Sequence, residues 1–147
     1  MYKHILIPTD GSALSRKAIV NGVKLAKALG AKVTGLFAAP PATPVVYRDH
    51  LPVGYMTPQQ HAKIIEKAAA SYLGVIERVA KRAGVRCECI HVTNDFPADA
   101  ILAIAKKNKC DLIFMASHGR RGLASVLLGS ETQKVLTHSK IPVLVSR

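Results

Sequence analysis

The sequence predicts an α/β protein: a five-stranded parallel sheet in the order 3-2-1-4-5, Rossmann-like, with helices on both faces in a three-layer sandwich. Three observations predict it. Short apolar runs of strand length alternate with stretches whose apolar residues recur at helical spacing, in the order βαβαβαβαβ. Helices between successive strands imply right-handed crossovers and parallel pairing. Turn chemistry, Pro8-Thr9-Asp10-Gly11-Ser12 and Ser117-His118-Gly119, follows the first and fourth strands, which this strand order places side by side. With 147 residues, 49% of them hydrophobic, the chain is read as one domain spanning residues 1–147.

Lys3 to Ile7 reads as the first strand, closed by Pro8. From Ala13 to Leu29 the residues Leu14, Ala18, Val23, Leu25, Ala26 and Leu29 mostly keep helical spacing, and Gly30 stops the helix. Ala31 to Phe37 is the second strand. Pro40 to Pro58 holds five prolines and no helical period, and is read as a long loop. Thr57-Pro58-Gln59-Gln60 then starts a helix: Thr57 as N-cap, Pro58 at the first helical position, Gln60 completing a capping box. Ile65, Ala69, Tyr72, Ile76, Val79 and Ala83 mark its buried face, and Gly84 ends it. Val85 to Val92 is the third strand, Pro97 to about Asn108 a shorter helix, and Leu112 to Ala116 the fourth strand. Ser130 to about His138 is the last helix, and Val143 to Val145 the last strand, entered through Pro142.

Composition narrows the partners. No apolar run approaches the roughly 18 residues of a membrane span, and MYKHILIPTD does not read as a signal peptide, so a cytoplasmic protein is expected. The net charge of +12 is spread along the helices without a dense basic block; aromatics are 5% and Trp is absent. That pattern favours a solvated basic surface over nucleic-acid binding, and such a surface steers anions inward. Cys87, Cys89 and Cys110 give no disulfide framework. Cys87 and Cys89 share a face of one strand and read as reduced core residues rather than a metal pair.

The stretch Asp111 to Val135 carries the chemistry. A buried strand breaks into a polar, glycine-containing loop, and the loop leads into a helix opening at Gly129-Ser130. Glycines admit a close backbone approach, and the first helical N–H groups face an anion at the positive end of the helix dipole. Spacing leaves two roles open for each residue. Gly119 either approaches a phosphate or makes a turn. Ser130 either contacts a ligand or caps its helix with Gln133. Asp10 either accepts from ribose hydroxyls or holds the turn before the first helix. His118, Arg120 and Arg121 either meet phosphate or serve the loop and solvent. Leu123, Val126, Leu127 and Leu128 cover the core or a partner.

These residues resemble the universal stress protein family. The similarity runs from ILIPTDGS through NDFPADAI to MASHGRRGLASVLLGS and KIPVLVSR, nearly the whole chain. The family's nucleotide signature is Gly, two residues, Gly, nine residues, then Gly-Ser or Gly-Thr. Here it becomes Ala116-Ser117-His118-Gly119, nine residues, then Gly129-Ser130, with Ala116 in place of the first glycine. The resemblance implies ATP as ligand, with Mg²⁺ or Mn²⁺. It places Pro8, Thr9 and Asp10 at the nucleoside, Asp10 at the ribose, Ala38 near adenine and Ala116 at the ribose–phosphate. Ser117, His118, Gly119, Arg120, Gly129, Ser130, Glu131 and Thr132 complete the nucleotide-binding set. It also implies a homodimer in which Val143, Leu144 and Val145 pair with their copies, which would cover an otherwise exposed apolar edge.

Three functions are therefore weighed: an ATP-binding stress sensor or regulator, a protein of the same fold working through unknown protein partners without nucleotide, and a slow ATPase or autokinase. The chain has no Walker lysine motif, GxSxG or kinase set, and Asp10 is the carboxylate that sequence places at the crevice. Binding is favoured over turnover.

Overall fold

The computed structural model describes residues 1–41, 46–48, 51–53, 56–119 and 127–147, with 46–48 and 51–53 described by their backbone. The elements run β1 (His4–Pro8), α1 (Ala13–Leu29), β2 (Lys32–Ala39), β3 (Val46–Arg48), β4 (Leu51–Val53), α2 (Pro58–Ala83), β5 (Cys87–Thr93), α3 (Pro97–Lys107), β6 (Leu112–Ala116), α4 (Ser130–His138) and β7 (Val143–Ser146). The main sheet has the order β5-β2-β1-β6-β7 with every neighbouring pair parallel. Counted without the small hairpin, that is the expected 3-2-1-4-5.

One element is new. Within the proline-rich stretch read as a loop, β3 and β4 pair antiparallel, Val46 opposite Val53 and Arg48 opposite Leu51. Pro52 sits in β4, and its missing N–H is tolerated because this ribbon has only two strands and each is an edge. The alternation signal is three residues long on each side, too short to stand out among five prolines.

The sheet is covered on both faces, which explains why β1 and β6 read as unbroken apolar runs. Alternate residues of one strand enter different cores. Ile5, Ile7, Val33, Phe37 and Phe114 join Ile19, Val23 and Ile76 under α1 and α2. Leu6, Leu36, Ile113 and Met115 join Ile101, Ile104 and Val135 under α3 and α4.

The C-terminal ends of α1 and α2 and the start of α2 are set as the sequence expects. Gly30 and Gly84 close α1 and α2 at φ 65° and 71°, in the left-handed region where glycine carries no Cβ penalty. At α2, Gln60 N–H donates to Thr57 Oγ1 at 3.1 Å and Thr57 N–H donates to Gln60 Oε1 at 2.9 Å, a complete capping box.

Candidate functional site

β1 and β6 pair through Ile5–Leu112 and Leu6–Ile113 only, and the ladder stops there. Beyond it Thr9 N–H turns to Leu36 O in β2 at 2.8 Å, while Ser117 N–H turns to Ser146 O at the end of β7 at 2.8 Å. The two central strands thus part where the topology reverses, and a cavity of about 440 Å³ opens between their carboxyl ends.

Pro8, Thr9, Asp10, Ala38, Ala116, His118, Gly119, Gly129, Ser130, Glu131 and Thr132 all line it. Two of the expected residues stand apart. Ser117 is buried behind the wall because side chains alternate at the end of β6; its hydroxyl meets His118 Nδ1 at 3.0 Å. Arg120, with Arg121, Leu123 and Val126, lies outside the described residues. Leu127, expected to cover the core or a partner, is exposed.

Gly129, not Ser130, is the N-cap of α4, and among the described residues no side chain caps this helix. The Ser130–Gln133 capping box therefore does not form; Gln133 Nε2 donates to Leu128 O instead. Among the described residues, the first-turn amides of α4 are left for whatever occupies the cavity. The neighbouring helix differs. Phe96 offers α3 no side-chain cap, and Glu131 reaches across from α4 so that Ala98 N–H donates to its Oε2 at 2.9 Å. Thr132 is likewise engaged, its hydroxyl donating to Ala116 O at 3.0 Å, which ties the start of α4 to the end of β6.

Both glycines serve close approach rather than an unusual backbone, since neither has positive φ. A Cβ at position 119 would stand 2.6 Å from Asp10 Oδ2. A Cβ at position 129 would stand 3.2 Å from His118 Cα and 3.3 Å from Ser117 O, because Gly129 N–H donates to that carbonyl at 2.7 Å. Ala116 lies in β6 with ordinary extended backbone, so the alanine there carries no conformational penalty.

Asp10 also holds its turn: Ser12 N–H donates to its Oδ1 at 2.9 Å. The turn-holding reading of this residue is thus seen directly, and Asp10 also lines the cavity. Sequence reasoning missed the far wall, formed by Asn94, Asp95, Pro97, Ile101 and Met115, with Pro40 and Ser15. The turn Asn94-Asp95 at the end of β5 was the available signal. Asp10 and Glu131, both in the expected set, line the cavity as carboxylates, and Asp95 joins them as the one the sequence reading missed. Among the described residues no group of three His, Cys, Asp or Glu side chains could hold a metal ion.

The model of the universal stress protein family matches residues 1–147. The chain belongs to the universal stress protein family. It is 31% identical to universal stress protein MJ0531 of Methanocaldococcus jannaschii over 99% of this chain and 82% of that one. To universal stress protein YxiE of Bacillus subtilis it is 31% identical over the full length of both. A solved universal stress protein in complex with cAMP superposes with TM-score 0.70 at 26% identity, covering 99% of this chain and 97% of that one. Among the described residues of this universal stress protein, no helix is long and apolar enough to cross a membrane.

Proposed function

We propose that this universal stress protein binds an adenine nucleotide, ATP, in the crevice between β1 and β6, and acts as a homodimeric stress-response sensor or regulator. The observation that carries the reading is the start of α4: a helix N-terminus that no described side chain caps, opening onto a cavity whose rim includes two glycines in close approach. That arrangement suits phosphate oxygens. Asp10 faces the same space, suited to ribose hydroxyls. The relative solved with cAMP supports the ligand class.

The residues fit the nucleotide better than they fit a resident metal. Magnesium or manganese would be held mainly by phosphate oxygens and water, as is usual for this pair of ions with nucleotides. Its contribution is to offset phosphate charge. Asp10 and Asp95 are the cavity carboxylates besides Glu131.

Dimerisation rests on β7, which ends the sheet order and leaves Leu144 39% exposed. Val143, Leu144 and Val145 would add a matching strand across a two-fold axis.

Calorimetric titration of the purified protein with ATP and magnesium tests the ligand. Saturable binding with one site per chain is expected, lost in Gly129→Val, whose side chain would drive the 117–119 backbone away from α4. Cyclic AMP run as a competitor separates a triphosphate site from a general adenine site. Absence of heat at millimolar ATP would sink the reading.

A further inference from the structure

On the face of β5 beneath α2, remote from the nucleotide crevice, two thiols touch: Cys87 Sγ and Cys89 Sγ are 3.9 Å apart. Neither is in a disulfide, and both are only partly buried. β5 is an edge strand, so an ion can reach the pair without opening the core. We propose that Cys87 and Cys89 form a two-thiolate site for a soft monovalent cation of the copper(I) class.

The donor set decides the ion. Thiolates select soft metals. Zinc in a structural site takes four ligands, and no third His, Cys, Asp or Glu joins this pair among the described residues. Magnesium and calcium take oxygen ligands. A d¹⁰ monovalent ion is satisfied by two sulfurs. Metal–thiolate bonds of about 2.3 Å can reach across the observed separation with little movement.

The surroundings fit that occupant. Gly35 lies opposite Cys89 in the ladder, and a Cβ there would stand 2.8 Å from Cys89 Sγ and 2.8 Å from Ile76 Cδ1. The missing side chain makes the sulfur's room, and Ile76 walls the pair on one side with hydrocarbon. On binding, each thiol releases its proton to solvent and each sulfur gives a lone pair to the ion; no electron is transferred.

The test is anaerobic titration of the reduced full-length protein with copper(I) against the chromophoric chelator bicinchoninate. The wild type is expected to take one equivalent from the chelator. Cys87→Ser and Cys89→Ser should each weaken binding at least a hundredfold, and Cys110→Ser should leave it unchanged. Copper that stays wholly with the chelator overturns the proposal. So does a Cys87 or Cys89 variant retaining affinity within tenfold, or a loss in Cys110→Ser. X-ray absorption on the copper-loaded wild type needs no variant to fold: two sulfur neighbours are expected, and nitrogen or oxygen neighbours would refute the site.

Discussion

The carboxylate of Asp10 occupies the place where a side chain on residue 119 would begin, with Oδ2 2.6 Å from that Cβ position. Asp10 follows β1 and Gly119 lies three residues past the end of β6, so this approach closes the crevice between the two central strands. Gly119→Ala must move the carboxylate or the loop. It should weaken ATP binding about tenfold, or ~1.4 kcal/mol, with a smaller effect on folding. Calorimetry and thermal unfolding of the same variant read the two effects separately. Unchanged affinity would mean that Asp10 is not held in its binding position by this contact.

Ala116 supplies the complementary experiment. It departs from the family's first glycine, yet its backbone is ordinary strand. Restoring glycine therefore relieves nothing. Ala116→Gly should change ATP affinity less than threefold and cost about 1 kcal/mol of stability, from added chain entropy and a lost buried methyl. A large gain in affinity would show that the methyl obstructs the ligand.

Most of the architecture was legible because β1 and β6, buried on both faces, write themselves as short apolar runs, while Gly30, Gly84 and the Thr57–Gln60 box punctuate the helices. The near wall of the site was legible because Gly119, Gly129 and Asp10 sit on turns after strands that topology makes neighbours. The far wall was not. Ile101 and Met115 read as core residues of α3 and β6, and nothing local distinguishes a core side chain from one that also borders a cavity. Of the two roles the spacing left open for Ser130, the structure excludes the capping box with Gln133. A capping-box sequence can be outbid when the residue before it, Gly129, is pinned by a short hydrogen bond to Ser117 O.

His4 makes stability depend on pH. It is buried in β1 with Nε2 2.7 Å from Thr34 Oγ1, and burial followed by the nearby Lys32 ammonium lowers its pKa from the usual 6.5. The folded chain keeps this imidazole neutral where the unfolded chain would protonate it. Unfolding then takes up a proton, so stability falls as pH drops below about 6.5, by at most ~1.4 kcal/mol per pH unit, until the folded form also titrates. Urea unfolding at pH 7.5 and 5.5 should show a larger loss for the wild type than for His4→Gln. Equal losses would place the proton elsewhere.

Glu131 tests the division of labour between the two helices at the cavity. Its Oε2 accepts from Ala98 N–H and its Oε1 meets Lys134 Nζ at 3.2 Å, so the carboxylate caps α3 and neighbours the open start of α4. A negative side chain favours the positive end of α3 but would repel a phosphate seated on α4. Glu131→Ala should therefore destabilise the fold by about 1 kcal/mol, and Glu131→Gln, which keeps an acceptor, by less. Both should hold ATP at least as tightly as the wild type, by up to severalfold at low salt, where the repulsion is least screened. Weaker ATP binding in Glu131→Gln with unchanged stability would reverse the assignment, making the carboxylate a ligand group rather than a cap.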